Sequence, residues 1–190
     1  MNCTNLLSHF EPFKQRLIES KIKFKTPNKP YYYLHRERKE QFFKAGTLRI
    51  ITQARALEPI FVCTEENCYP SRALFVITSL KFNIKYLCGL LNSKLVKFWL
   101  KNKGKMQGAC FQVDKGPLLS IPIKEREPYH QKIIECVDSL LLNNSVHDSC
   151  VKIIEQIDKY VYKSYRLSYD EILIVDPETP ITREEYEDYK

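Results

Sequence analysis

The sequence predicts a mixed α/β fold, in which short strands pack with helices and an antiparallel helix pair follows at the C-terminal end. Apolar, β-prone runs at residues 48–52, 60–63 and 74–78 are separated by turn signals, such as the polar residues 65–67. Helical spacing of apolar residues recurs between residues 84 and 101 and in two segments after residue 130. The 190 residues are enough to bury an independent core.

The N-terminal segment predicts a helix followed by an aromatic strand. The helix has apolar residues at gaps of three and four, and Pro12 is expected in the first turn of its main part, where proline is tolerated. The basic stretch 21–29 carries Pro27 and is followed by Pro30, which predicts a loop. Residues 31–35, Tyr-Tyr-Tyr-Leu-His, are β-prone and predict a strand.

The clearest predicted helix runs from residue 84 to residue 101 as one element. Its apolar residues share one face, and Lys94, Lys97 and Lys101 share another. Gly104 is expected to end it, and residues 101–108 predict a flexible basic loop. Residues 111–113 and 118–123 predict further short extended pieces.

The tail predicts two amphipathic helices, over residues 133–141 and 153–165. A polar turn at residues 143–145 separates them, which favours an antiparallel pair. Residues 168–171, Ser-Tyr-Asp-Glu, form a capping box that predicts a short helix at residues 171–173. The charged residues 182–190 are expected to fray.

The net charge of +7 is divided unevenly along the chain. Residues 1–126 carry 23 Lys and Arg against 9 Asp and Glu, whereas residues 127–190 carry 7 against 14. We therefore interpret residues 1–126 as a basic domain with a polyanion partner, and residues 127–190 as an acidic helical tail. A coding bias towards lysine is the alternative, but such a bias would raise the lysine content of the tail as well.

Most catalytic chemistries find no support in the sequence. Seven cysteines at irregular spacing indicate reduced thiols rather than disulfides or a metal site, and five glycines form no phosphate-binding motif. Residues 28–31, Asn-Lys-Pro-Tyr, approach the Asn-Pro-Pro-aromatic loop of amino methyltransferases, but Lys29 replaces the first proline. The acidic residues lack the spacing of a nuclease site, and the four histidines are scattered.

Basic, amide and aromatic side chains carry the positive prediction, which is contact with double-stranded DNA. Cations neutralise phosphates, rings stack on sugars or bases, and Arg and Gln can read base edges. A packed strand is the alternative for the tyrosines, and complementing the helix dipole is the alternative for the lysines. The predicted contact residues are Tyr32, Arg36, Arg38, Gln53, Arg55, Arg72, Lys94, Lys97, Lys101, Lys103, Lys105 and Gln107.

Four stretches together resemble the TaqI-like C-terminal specificity domain of adenine-N6 DNA methyltransferases and fused restriction-modification enzymes. Residues 32–36 match an aromatic-x-Leu-His-Arg strand, and residues 119–123 match a Leu-x-x-Ile-Pro-Ile strand. Residues 85–95 match Tyr-Leu-x-Gly-x-Leu-Asn-Ser-Lys-Leu, which is the most specific of the four. Residues 157–168 match Ile-Asp-x-x-Val-Tyr-x-Leu-Tyr-Gly-Leu-Thr, with Ser164 in place of Leu and Arg166 in place of Gly.

The resemblance implies a curved, largely antiparallel sheet with packed helices, and loops that enter the major groove of DNA. It also implies that catalysis and S-adenosylmethionine belong to a methyltransferase or endonuclease domain or subunit, and that this chain has no cofactor of its own. Two alternatives stay open: a small enzyme with an unrecognised site, and a protein-interaction domain that no longer binds DNA. Because no apolar run approaches the ~20 residues of a membrane span and the start lacks a signal-peptide layout, we expect a cytoplasmic location.

Overall fold

The computed structural model describes residues 4–37, 39, 44, 46–71, 73–142 and 147–188. The chain divides into two compact units, Met1–Phe42 and Phe43–Lys190. The mixed α/β class predicted from the sequence is confirmed, because the larger unit combines two three-stranded antiparallel sheets with packed helices.

The smaller unit begins with helix α1, Thr4–Phe10, a 3-10 turn, Glu11–Phe13, and helix α2, Lys14–Lys23. Pro12 therefore lies in the 3-10 turn, two residues before the main helix begins, and not in the first turn of that helix. It ends with Lys25 in the left-handed conformation at a φ of 57°, and the amide of Thr26 donates to the carbonyl of Lys21 at 2.8 Å. This is the Schellman form of helix end.

The predicted strand at residues 31–35 is wrong, because these residues form a turn. The amide of Tyr33 donates to the carbonyl of Pro30 at 3.0 Å, and the ammonium of Lys21 donates to the carbonyl of Tyr33. The backbone of this segment is thus satisfied by its own turn and by a buried lysine of α2 rather than by a neighbouring strand.

Three of the predicted strands are confirmed within one residue at their starts. The strands up to residue 77 are β1 (Arg49–Gln53), β2 (Arg55–Ala56), β3 (Phe61–Thr64) and β4 (Leu74–Ile77). The first sheet has the order β3-β1-β4, and both pairings are antiparallel. Ile50 and Thr52 of its central strand are buried.

The second sheet replaces the flexible loop that was predicted at residues 101–108. Strands β5 (Lys105–Gln107) and β6 (Cys110–Gln112) form a hairpin, and β2 pairs with the other side of β6. Only two residues join the hairpin strands, and the first, Gly108, has a φ of 62°. Tight two-residue hairpin turns need this positive φ, which glycine adopts without steric cost.

The helix predicted over residues 84–101 is two helices, α3 (Ile84–Asn92) and α4 (Lys94–Lys103). The break lies at Ser93, which is extended at a ψ of 154°. Its hydroxyl donates to the carbonyl of Leu90 at 2.7 Å and accepts from the amide of Val96 at 3.3 Å. Ser93 thus caps α4, and this cap interrupts an apolar pattern that reads as continuous.

The extended piece predicted at residues 118–123 is also corrected. Its first residues belong to the short helix α5, Lys115–Leu119, and the following residues pair with no strand among the described residues. Two tyrosine hydroxyls donate hydrogen bonds to backbone carbonyls there instead. The hydroxyl of Tyr165 donates to the carbonyl of Pro122 at 2.5 Å, and that of Tyr86 donates to the carbonyl of Lys124. Ile121 is buried against the core.

The predicted helix pair is confirmed as α6 (Tyr129–Leu142) and α7 (His147–Tyr165), and the ring of Tyr129 near the start of α6 stacks with Tyr160 near the end of α7. The turn predicted at residues 143–145 lies outside the described residues. Helix α6 also packs on α3, where a Cβ on Gly89 would lie 2.6 Å from a methyl carbon of Ile133. The tail helices therefore share one apolar core with both sheets.

The end of the chain forms two capped helices, α8 (Tyr169–Val175) and α9 (Arg183–Glu187). Ser168 with Glu171 makes the predicted capping box, and Thr182 with Glu185 makes another. The expected fraying of residues 182–190 is therefore wrong for α9, whose Tyr186 is buried beside Tyr162. Of the helices described, none is both long and apolar enough to cross a lipid bilayer.

Candidate nucleic-acid interface

The junction between α3 and α4 is held to the first sheet by Asn92. Its side-chain amide donates to the carbonyls of Phe61 and Cys88, both at 2.8 Å, and its oxygen accepts from the amide of Phe61 at 3.0 Å. Because β3 is an edge strand, Asn92 pairs with its backbone much as a further strand would. This part of the Asn-Ser-Lys segment therefore fixes where α4 begins.

A carboxylate from α7 accepts a hydrogen bond from the first turn of α4. Asp158 is 6% exposed, and its Oδ1 accepts from the amide of Lys94 at 2.7 Å. Burial raises the pKa of Asp158 to about 7, since desolvation outweighs the hydrogen bond from Lys94. Asp158 and Ser93 together satisfy two of the amides that a helix start leaves without partners.

The second sheet presents a polar face, defined by Arg55, Lys105, Gln107, Cys110 and Gln112. Arg55 lies opposite Gln112, which lies opposite Lys105, so these three side chains form one row across the three strands. Neighbouring strands are about 4.8 Å apart, which places the backbones of Arg55 and Lys105 about 10 Å from each other across the row.

The opposite face of the same sheet is apolar and turned towards the core. It carries Ala56, Met106 and Phe111, which alternate with the polar residues along the strands; Phe111 is buried, Ala56 is partly buried and Met106 is 41% exposed. Arg55, Lys105 and Gln107 are exposed. The alternation therefore places Arg55, Lys105 and Gln107 on one face of the sheet.

Helix α4 brings its C-terminal end to the start of β5, where Lys101 and Lys103 are exposed. Within the described part of the chain, neither lysine has an ion-pair partner, and the same holds for Arg55 and Lys105. Two of these four cations belong to the polar face, and the other two lie at the end of the helix that leads into β5. Such a cluster attracts a polyanion.

Of the three lysines predicted to share one face of the helix, the first two, Lys94 and Lys97, form ion pairs. The ammonium of Lys94 lies 3.7 Å from Asp176, and that of Lys97 lies 2.6 Å from Glu58. Both pairs involve partly exposed side chains, so each contributes little to stability. The carboxylates do, however, reduce the net positive charge that Lys94 and Lys97 present to a binding partner.

Gln53 and Arg55 flank the residue at which the chain passes from one sheet to the other. Between them, the amide of Ala54 donates to the carbonyl of Ala73 at 2.8 Å, and the carbonyl of Ala54 accepts from Val113 at 3.0 Å. Gln53 is exposed at the end of β1. Both predicted side chains therefore lie on backbone that is fixed by hydrogen bonds.

The predicted contact residues of the smaller unit lie on its turn. Tyr32 is 39% exposed and contacts the rings of Tyr31 and Tyr33 edge-on, and Arg36 is also exposed. Both ring nitrogens of His35 lie within 3.1 Å of side-chain hydroxyls, so this histidine serves the turn. Arg38 and Arg72 lie outside the described residues.

Sequence reasoning missed Gln112, which lies in the row between Arg55 and Lys105. Its amide donates to both carboxylate oxygens of Asp114, at 3.0 and 3.2 Å. Only the hairpin register shows that it shares a face with the two cations. A search of the described residues for three or more clustered His, Cys, Asp or Glu finds no group that could hold a metal ion.

Comparisons with known proteins identify a domain family and two relatives. A model of the TaqI-like C-terminal specificity domain matches residues 12–123, which include the α3–α4 junction and the second sheet. Two curated relatives are the type II methyltransferases M.HincII of Haemophilus influenzae and M.HindII of its strain Rd, each 31% identical over 93 residues. The match covers 44% of this chain and 18% of each methyltransferase, so the chain corresponds to less than a fifth of their length.

Proposed function

Because the chain belongs to the family of TaqI-like C-terminal specificity domains, we propose that it recognises specific sites in double-stranded DNA for a restriction-modification adenine methyltransferase. The observation that carries the proposal is the row of Arg55, Gln112 and Lys105 beside the unpaired lysines at the end of α4. A two-stranded ribbon or a small sheet fits the major groove of DNA, which is about 12 Å wide.

Within this proposal the side chains divide the work by their chemistry. Arg55 and Gln107 read base edges, since the guanidinium of arginine pairs with guanine and the amide of glutamine pairs with adenine. Lys101, Lys103 and Lys105 hold phosphates, which fixes the register of the domain on the duplex. Further proposed contacts are Tyr32, Arg36, Arg38, Gln53, Arg72, Lys94 and Lys97.

The methyl-transfer reaction is carried out by a partner domain or subunit. The methyl donor, S-adenosylmethionine, binds to a methyltransferase domain or subunit, and this chain supplies the choice of site. The relatives support this division, since each is a methyltransferase of which the match covers 18%. A cytoplasmic location, where the DNA would be met, is part of the proposal.

A titration of a labelled duplex at several salt concentrations tests the binding itself. We expect the affinity to fall steeply with salt, because each phosphate contact contributes about 0.9 to the slope of log affinity against log salt. The double variant Lys103→Ala with Lys105→Ala is expected to lower this slope by about 2 for every sequence tested. Affinity that does not change with salt would favour a protein-interaction domain instead.

A further inference from the structure

A basic cleft lies between residues 123–126 and the helical tail, although the net charge of the tail is negative. A cavity of about 520 Å³ is lined by residues 123–126 and 164–166, and an adjoining cavity of about 300 Å³ shares Arg126 and Arg166 with it. Both cavities lie in the larger unit, and no residue of the polar face lines either of them. We refer to the two cavities together as the basic cleft.

Four cations line the basic cleft: Lys124, Arg126, Lys163 and Arg166. Among the residues that the structure describes, none of the four forms an ion pair, although carboxylates are abundant in the tail. The one acidic residue of the lining, Glu125, has its carboxylate 3.4 Å from Nε2 of His130. The cleft therefore carries a net positive charge, since four cations and one carboxylate line it.

A hydroxyl in the wall of the cleft also lacks a partner. Ser164 is 4% exposed, and its Oγ has no hydrogen-bond partner among the described residues. Leaving a buried polar group unsatisfied is unfavourable, and native structures rarely do so without a ligand or a water. Ser164 is one of the residues that line the larger cavity, together with Arg126 and Arg166.

The backbone around Arg166 is fixed. Arg166 has a φ of 58°, its amide donates to Lys163 at 3.1 Å, and the amide of Leu167 donates to Tyr162 at 3.0 Å. These two bonds satisfy the end of α7 in the Schellman form, so Arg166 is not needed to cap carbonyls. A non-glycine residue is strained in this conformation, which glycine adopts without strain.

A second fixed cation completes the site. The ammonium of Lys163 lies 4.2 Å from the centre of the Tyr186 ring, and burial together with the neighbouring Lys159 lowers its pKa. An anion beside Lys163 would stabilise its charged form. Ser164 and Arg166 are also the two residues that differ from Leu and Gly in the pattern that residues 157–168 resemble, which lies outside the family match at residues 12–123. Both departures add polar groups to the same cleft.

We propose that the basic cleft binds a phosphate group, through the guanidinium groups of Arg126 and Arg166, the ammonium groups of Lys124 and Lys163, and the hydroxyl of Ser164. Arginine pairs with two phosphate oxygens at once, and a phosphate monoester carries a charge between about −1.5 and −2, which suits several cations and a hydroxyl. The phosphate belongs either to the backbone of bound DNA or to a free nucleotide or phosphate ion.

The test follows the amide resonances of the full chain by NMR during titration with inorganic phosphate, against sodium chloride at matched ionic strength. We expect saturable shifts at residues 164–167, with a Kd in the millimolar range. Arg166→Gly is expected to weaken phosphate binding at least about tenfold, because a charge-assisted pair is lost. This variant keeps the fold, since glycine suits the φ of residue 166.

Lys25→Gly is the matched control, because it also replaces a cation in the left-handed conformation at a helix end. It is expected to bind phosphate as the unaltered chain does. Ser164→Ala should weaken phosphate binding several-fold without lowering stability, which a purely structural serine would not do. The proposal is overturned if the unaltered chain shows no saturable shifts, or if Arg166→Gly and Lys25→Gly bind phosphate equally well.

A DNA titration then separates the two sources of phosphate. If Arg166→Gly lowers the salt slope of DNA affinity by about 1, the phosphate is that of the backbone. If the salt slope is unchanged while phosphate binding is lost, the cleft takes a free phosphate or nucleotide, and the site stands. Variants of the polar face would lower DNA affinity without changing phosphate binding, so failure of the proposed function is distinguishable from failure of the cleft.

Discussion

The two ends of helix α4 have opposite roles although lysines lie at both. At the N-terminal end, Ser93 and Asp158 are buried and bind backbone amides, and the side chain of Lys94 faces Asp176. At the C-terminal end, Lys101 and Lys103 are exposed and have no ion-pair partner among the described residues. The first end builds the fold, and we propose that the second contacts DNA.

This difference shows that helical spacing predicts which lysines share a face of the helix, but not which of them are free to contact a partner. Lys94, Lys97 and Lys101 follow each other at gaps of three and four, and the sequence alone predicts one basic face. The acids that meet the first two come from distant parts of the chain, at Asp176 and Glu58. The charge that remains for a partner is therefore concentrated at one end.

Replacing Asn92 tests the structural end and has the largest expected effect. Asn92→Ala leaves both backbone groups of Phe61 without the partner they now have, and we expect it to lower the free energy of unfolding by about 2–4 kcal/mol. Urea denaturation measures this loss. Asn102→Ala is the control at the other end, because its exposed amide bonds only to Phe98 of its own helix. Equal losses would contradict the contrast between the two ends.

The pH dependence of stability tests Asp158. Burial raises its pKa to about 7 in the folded chain, so the folded state holds a proton that the unfolded state has released above its own pKa of about 4. The contribution of Asp158 to stability is therefore present at low pH and is lost as the pH rises, by about 2 kcal/mol between about pH 5 and 7.

Asp158→Asn removes the titrating group but keeps an oxygen that can accept from the amide of Lys94. We expect the stability of this variant to fall less than that of the unaltered chain over the same pH range, in denaturation measured at each pH. Asp170→Asn, at an exposed carboxylate, controls for the loss of one charge. If Asp158→Asn and the unaltered chain respond identically to pH, the role assigned to Asp158 is wrong.

A comparison of Lys101→Ala with Lys97→Ala has a smaller expected effect. Lys101 has no carboxylate partner among the described residues, so its loss should lower the salt slope of DNA affinity by about 1. Lys97 already lies 2.6 Å from Glu58, so its loss should lower the slope by less. Fluorescence anisotropy with one duplex at several salt concentrations measures both. A larger change for Lys97 would reverse the proposed order.

The sequence predicts the elements that can be recognised from patterns among neighbouring residues. The strands of the first sheet, the tail helix pair and the capping box at Ser168 were all predicted, because alternation, helical spacing and caps depend on neighbouring residues. The turn at residues 31–35 was missed because its backbone depends on Lys21, a cation that composition would assign to the surface. Arg49 is likewise buried, and it donates to the carbonyls of Lys44 and Thr47.

The candidate surface was predicted in part for the same reason. Arg55 and Lys105 are predicted contact residues and both are exposed, but the row that joins them through Gln112 depends on strand pairing. The helix break at Ser93 depends on Asp158 as well, 65 residues further along the chain. Contacts between residues that are distant in the sequence decide which basic side chains stay exposed and able to contact a partner.

Selection of duplexes from a random-sequence pool tests the central claim most directly, since it asks whether the polar face reads sequence. We predict that the unaltered chain enriches one sequence, and that Arg55→Ala lowers the affinity for that sequence by about 1–3 kcal/mol relative to a random duplex. The salt slope for the random duplex should change by no more than about 1. Failure to enrich any sequence, or an unchanged preference in Arg55→Ala, would contradict recognition through this face.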